Sequence, residues 1–410
     1  HAVASAIRHL GEREAAFSRT EIYRSALGFA LPTTLTDIEH RVDQLLRQGH
    51  LQKGQGADRY LVTTRDAIGL EQRIIAAVEN GRGHGSAVVE ADVAGERLQA
   101  LSQLKYGLTL NPGQEGAGRL LLASHNRIVA IQGVAGAGKS TVLKPVADIL
   151  REEGKSVLGL AVQNTLVQML ERDTGIPSMT VARFLRQHQG LLAGADQARL
   201  AEARASLRGT TVLLDEASMV GNADKEKLVR LANLLQLDRF ASIGDRKQLG
   251  AVDAGKPFDV MQKAGVETAT MNTNLRARDK ALRDAQYAAQ GGNIDEALRH
   301  LGPHVVASGN TAAVDAAAAW LSLSPAEREV TAIYASGRNL RGQVNEAVQI
   351  GLKANGELGP GSLGLTVLSR VNLTREEMRY SRSYAAGMVL EVDRRQRGQG
   401  LQKGRYDVIE

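Results

Sequence analysis

A chain of 410 residues has room for two or three domains at the usual ~150 residues each, and its 43% hydrophobic and 23% charged residues are an ordinary globular mix. Cysteine is absent, which excludes a disulfide scaffold, thiol catalysis and Cys-ligated metal sites. Lys plus Arg number 51 against 45 Asp plus Glu, and a formal charge of +6 permits a phosphate-backbone partner without demanding one.

The chain opens His1-Ala2-Val3 rather than on methionine, which suggests a piece cut from something longer. It shows no signal peptide and no run near the roughly 18–20 apolar residues that cross a bilayer, so a cytoplasmic protein without a membrane segment is expected. Ser18 to Glu21 and Thr36 to Glu39 both read as capping boxes, each with an acceptor at a helix start and a carboxylate three residues on. After the second, Ile38, Val42, Leu45 and Leu46 recur at helical spacing and Gly49 sits where a helix should end. Leu51 to Lys53, a turn at Gly54 to Gly56, and Arg59 to Thr63 then make a short basic hairpin. The order fits a winged helix or a generic helical adaptor. A helix over 66–80 and a connector at Arg82 to Ser86 follow.

From about residue 97 strands and helices alternate. Arg127 to Ile131, Ser156 to Leu160, Thr211 to Leu214 and Phe240 to Ile243 are apolar runs without alternation, as in parallel strands covered on both faces. Beyond residue 265, Thr331 to Tyr334 reads as a strand and Leu340 to Leu352 as a helix. Leu365 to Leu368 and Met388 to Val392 are candidate strands in a β-rich tail.

The chemistry concentrates behind three of those strands. Gly133-Val134-Ala135-Gly136-Ala137-Gly138-Lys139-Ser140 fits G-x-x-x-x-G-K-[ST] in full, directly after a strand and opening a helix. Backbone N–H groups of Gly133, Ala135, Gly136, Ala137, Gly138, Lys139, Ser140 and Thr141 are expected to curl around the phosphates of ATP. Lys139 would bridge the β- and γ-phosphates and the Ser140 hydroxyl would hold Mg²⁺. The apolar run 211–214 ends in Asp215-Glu216, 76 residues beyond Lys139. One carboxylate, Asp215, suits the metal; the other, Glu216, suits the attacking water as general base. Behind the fourth strand comes Gly244-Asp245-Arg246-Lys247-Gln248-Leu249, where Gln248 can report the γ-phosphate. Gln114, near a helix start ahead of the first strand, is a candidate reader of the adenine edge. Thr180 heads another helix and fits either a cap or a phosphate donor. Arg183 and Arg186 beyond it, and Tyr380 and Tyr384 near Arg379 and Arg382, suit nucleic-acid contacts or plain surface and packing roles.

GVAGAGKS, LLDEAS and GDRKQL, in this order and spacing, resemble motifs I, II and III of a superfamily 1B DNA helicase, and the Gln114 segment resembles its adenine-reading motif. Asn272 to Arg276, followed by Lys280 to Ala285, resembles motif IV, and the resemblance gives Arg276 the role of reaching the γ-phosphate. Gln163, Asn164 and Thr165 stand where the family's motif Ia touches single-stranded DNA. The stretches His9 to Thr20 and Val367 to Thr374 are similar to the helicase part of conjugative relaxase–helicases of the TraI/TrwC type.

The resemblance implies an α/β fold. A winged-helix-like N-terminal domain spans 1–90, a RecA-like P-loop domain 91–262, part of a second RecA-like domain 263–355, and the start of a small β-rich insertion 356–410. It implies an ATP- and Mg²⁺-dependent 5′-to-3′ translocase on single-stranded DNA in conjugative transfer, with a type IV secretion coupling protein as a further partner. A recombination or repair helicase of the same superfamily, and a non-catalytic single-strand-binding or secretion-signal module, are the alternatives. Two departures stand out. Ala277 follows Arg276 where the family usually has Gln, and no counterpart of motifs V and VI is found before Glu410. The nine His are scattered and form no strand-nicking triad. The 410 residues alone are therefore expected to bind Mg-ATP, hydrolyse it slowly and neither unwind nor nick DNA.

Overall fold

The computed structural model describes all residues except 195, 249–252, 278, 362, 366, 394–399 and 410. It forms two units, one made by 1–278 with 372–410 and the other by 279–371.

The first unit begins with α1 (Ala2–Gly11), β1 (Ala16–Ser18), α2 (Arg19–Gly28), α3 (Leu35–Arg47), β2 (Leu51–Lys53) and β3 (Leu61–Thr64). The strands pair antiparallel in the order β1-β3-β2, so the helices and hairpin take the winged-helix arrangement. Phe17, Ile22, Ile38, Val42, Leu51 and Val62 fill its core. The capping box at Ser18 and Glu21 forms as the sequence indicates. The second box forms two residues earlier than expected, at Thr34 and Asp37 rather than Thr36 and Glu39. Both signatures overlap, and the earlier one adds two residues to the helix while still burying Ile38 and Val42. At the far end Gly49 N donates to Leu46 O and His50 N to Leu45 O, the paired bonds that close a helix at a left-handed residue.

Residues 372–384 lie against α1. Arg8 grips Glu376 with two bonds of 2.8 Å, and Ser5 meets the Tyr380 hydroxyl at 2.6 Å. Glu12 accepts from the backbone N–H of Arg375 and Glu376 at 2.8 and 3.0 Å. Tyr380 packs on Phe29 at 5.0 Å, and the Tyr384 hydroxyl donates to Met378 O at 2.9 Å. The bond from Arg8 holds the nearly buried Glu376 carboxyl down at about 2, against an ordinary 4.5. A carboxyl lowered in the folded state stabilises it fully above pH 4.5, and that contribution is lost as pH falls toward 2. Glu376→Gln is expected to cost about 1–2 kcal/mol at neutral pH. In paired melts the gap to the native chain should close on acidification; a gap independent of pH would contradict this.

The rest of the first unit is a layered α/β domain. It runs α4 (Arg65–Glu79), α5 (Ala94–Tyr106), α6 (Pro112–Ala123), β4 (Ile128–Gly133), α7 (Lys139–Glu152), β5 (Ser156–Ala161), α8 (Asn164–Thr174), β6 (Ser178–Thr180) and α9 (Val181–His188). Then come α10 (Gln197–Ser206), β7 (Thr210–Leu214), α11 (Asn222–Leu234), β8 (Arg239–Gly244), α12 (Pro257–Lys263) and β9 (Thr268–Met271). The strands form one parallel sheet in the order β6-β5-β7-β8-β4-β9. Side chains alternate between two cores, which is why the runs are apolar throughout. Ile128, Ala130, Val212, Leu214 and Phe240 face α4, α9, α11 and α12. Val129, Ile131, Leu213, Ala241 and Ile243 face α5 to α8. Helix α4 starts on the winged unit, with Thr64 accepting from Ala67 N, and ends in the sheet's core through Ile74, Ala77 and Val78. Asn233 of α11 donates to Ala77 O at 2.7 Å.

The second unit consists of α13 (Lys280–Gln290), α14 (Ile294–Leu301), α15 (Ala312–Leu321), α16 (Pro325–Glu329) and α17 (Arg338–Ala354). Small residues (Ala285, Ala297, Ala313 and Ala317) are buried where α13 meets α14 and α15 meets α17. The expected helix over 340–352 forms within α17. The expected strand at Thr331 to Tyr334 does not: Thr331 O accepts from Trp320 Nε1 at 2.9 Å, and Tyr334 is 95% exposed. Leu365, Val367 and Leu368 are likewise irregular, and Thr366 lies outside the described residues. The expected strand near Met388 to Val392 appears as β10 (Val389–Val392), paired antiparallel with β11 (Gly404–Asp407). No helix among the described residues is long and apolar enough to cross a membrane.

Candidate nucleotide site

Because every strand of the large sheet is parallel, the turns after β4, β7 and β8 emerge side by side at one edge. The loop after β4 holds Gly136 and Gly138 at φ +75°, a conformation other residues resist. Space forbids a side chain there too. A Cβ on Gly136 would sit 2.5 Å from Asn274 Oδ1, and one on Gly138 would sit 2.5 Å from Gln114 Nε2. Gly138 then hands over to α7, whose first N–H groups, at Lys139 and Ser140, face the loop, while Thr141 N donates to Gly138 O at 3.1 Å.

Lys139 Nζ donates to Glu216 Oε1 at 3.4 Å, with both side chains largely shielded. Glu216 is held at φ +46°, rare for a side-chain-bearing residue, which turns its carboxylate toward the loop. Burial and the neighbouring Glu216 push the Asp215 carboxyl above its usual range, with Lys139 opposing. Two carboxylates and a lysine thus share one small volume. Gln248 Nε2 donates to Asp245 Oδ2 at 3.1 Å; Leu249 of the same motif lies outside the described residues.

Gln114 is buried, and both ends of its amide are engaged. Nε2 donates to Ala137 O and Gly138 O at 3.3 and 3.4 Å, and Oε1 accepts from Asn111 N in a capping box. In this conformation it braces the phosphate loop. Arg276 sits in a segment laid on that loop: Leu275 N donates to Gly136 O at 2.8 Å, and Asn274 Oδ1 receives Arg276 N and Ala277 N. The Arg276 side chain is exposed.

The candidate DNA residues gather one strand further along. Gln163, Asn164 and Thr165 are exposed at the start of α8, directly after β5. Thr180 ends β6, which pairs with β5 through Ala161 and Thr180, and its hydroxyl caps α9 by accepting from Arg183 N at 3.2 Å. Arg183 and Arg186 are exposed beyond it.

A model described as an AAA domain matches residues 109–307, and one described as a DNA relaxase TraI 2B/2B-like domain matches 367–410. The multifunctional conjugation protein TraI of Escherichia coli is 27% identical over 310 residues, 73% of this chain and 16% of its own. The chain is thus similar in sequence to part of the TraI conjugation proteins. Conjugal transfer protein TraA of Rhizobium radiobacter is 28% identical over 240 residues, covering 58% of this chain and 20% of TraA. The ATP-dependent RecD2 DNA helicase of Deinococcus radiodurans is 34% identical over 143 residues, 35% of this chain and 19% of its own. The chain thus spans less than a fifth of the length of the TraI it matches.

The structure also gives roles to residues to which the sequence reading assigned none. Gln132, Asp245 and Asn274 make the contacts that hold the loop and Gln248 in place. Asp245 stands inside a recognised motif, but the pairing of its strand with β4 is a tertiary fact. Asn274 gave no signal beyond its place in the motif IV stretch.

Proposed function

We propose that this chain is the nucleotide-driven part of a DNA helicase that translocates on single-stranded DNA in conjugative transfer. The observation that carries the reading is the meeting of Lys139 with Glu216 at 3.4 Å, beside Asp215, at the mouth of a glycine loop. This is the charge pattern that phosphoryl transfer needs: a cation for the β/γ-phosphates, a metal carboxylate and a base for water. ATP fits the loop and the start of α7. Ser140 and Asp215 offer the hard oxygen donors that suit Mg²⁺, which would neutralise phosphate charge when bound. Lys139 leaves Glu216 for the phosphates, and the freed carboxylate orients water and takes its proton. Gln248 faces the γ-phosphate, and Arg276 supplies further positive charge there. Gln163, Asn164, Thr165 and Thr180 line the single-strand path. The reading carries with it a cytoplasmic location, 5′-to-3′ polarity and a type IV secretion coupling protein as partner of the whole protein.

Steady-state ATP hydrolysis with and without single-stranded DNA tests this. Stimulation by the strand is the expected result, and a chain that binds the strand without ever binding nucleotide would leave the non-catalytic reading. Binding should also be salt-dependent. At a slope near −0.7 per neutralised phosphate and roughly four to six contacts, log affinity should fall by about 3–4 per decade of salt. A flat dependence in fluorescence anisotropy titrations would argue against a phosphate-tracking site.

A further inference from the structure

Gln132 occupies the last position of β4 before the loop glycine, and the parallel register sets it opposite Gly244 of β8. Its side chain therefore reaches the turn that follows β8. Nε2 donates to Asp245 Oδ1 at 2.8 Å, while Oε1 accepts from Arg246 N at 3.2 Å and from Gln262 Nε2 at 3.3 Å. Asp245 is 1% exposed. Its Oδ1 also accepts from Lys247 N at 3.0 Å, and its Oδ2 accepts from Gln248 Nε2 at 3.1 Å. A buried carboxylate held by neutral amides is costly to leave short of donors, so each contact fixes the others. The chain of contacts runs without a gap from the root of the phosphate loop to the tip of Gln248.

We propose that Gln132 is a positioning residue that couples the phosphate loop to Gln248 through Asp245, so that discrimination between nucleoside triphosphate and diphosphate depends on it. This deepens the reading of the nucleotide site above and rests on it. Gln132 touches no nucleotide itself. It acts by setting where the Gln248 amide points, and by passing any shift of the loop root into the turn after β8.

The test reads binding rather than turnover. Affinities for ADP and for a non-hydrolysable ATP analogue, both with Mg²⁺, are measured for the native chain, Gln132→Met, Gln248→Ala and the double variant. Gln132→Met keeps the length of the side chain and removes its hydrogen bonds; Gln132→Leu is the substitute if it fails to fold. Gln132→Met should lower the preference for the triphosphate roughly fivefold, the scale of one lost hydrogen bond, with ADP affinity unchanged. In the Gln248→Ala background it should lower the preference no further. Equal losses for both nucleotides, or losses that multiply in the double variant, would mean that Gln132 merely supports the loop, and the coupling is wrong. A native chain that binds no nucleotide would overturn the site reading and the coupling together. One that binds both without preference would remove the coupling while leaving the site.

Discussion

Lys139→Ala is expected to lower ATP turnover by roughly 10²–10³-fold, while single-stranded DNA binding survives. Lys139 is the cation that leans over the glycine loop, and its partner in this structure is Glu216. The candidate strand-contacting residues stand after β5 and β6, away from the loop after β4. Removing the ammonium thus takes charge from the phosphates and leaves the DNA edge intact. A coupled ATPase assay beside anisotropy with a labelled oligonucleotide reads both. Unchanged turnover would remove the lysine from its assigned role, and loss of both activities together would show that the two sites are one.

Glu216→Gln should act on the chemical step alone. A positioned base contributes about 10²–10⁴-fold, so single-turnover hydrolysis should fall within that range. Nucleotide affinity should hold or improve. The native carboxylate competes with the phosphates for Lys139 Nζ and adds negative charge beside Asp215; the amide does less of the first and none of the second. Glutamine also keeps the length of the chain at a residue whose φ of +46° already strains the backbone. A variant that loses affinity as steeply as rate would place Glu216 in binding rather than in catalysis.

The site was legible to the degree that its residues are fixed by local chemistry. Glycines at left-handed positions, a lysine at a helix start and a carboxylate pair at a strand end leave marks in sequence because neighbouring residues impose them. The four apolar strands were legible for a similar reason, since burial on both faces leaves no polar alternation. β6 and β9 were not. At three and four residues, Ser178-Met179-Thr180 and Thr268 to Met271 are partly exposed, and they become strands only by pairing with β5 and β4. The displaced cap at Thr34 and the missing strand at Thr331 show the same limit from the other side. In each, a plausible local signal lost to a competing partner: Asp37 in the first and Trp320 in the second. The pairing of Gln132 with Asp245 was invisible because it depends on which strand lies beside which.

Helix α4 sets where this protein can be cut. A fragment starting at residue 65 would lose the Thr64 hydroxyl that caps the helix, and one starting at residue 81 would lose Ile74, Ala77 and Val78 from the core they share with α11. Asn233 would then be left without the Ala77 carbonyl to which it donates. Neither start gives a clean nucleotide-binding fragment, so deletion series meant to separate the winged unit from the sheet should keep α4 and its cap with the sheet. A sheet fragment that keeps the cap therefore starts no later than Thr64, at the end of β3, rather than in the connector that follows α4.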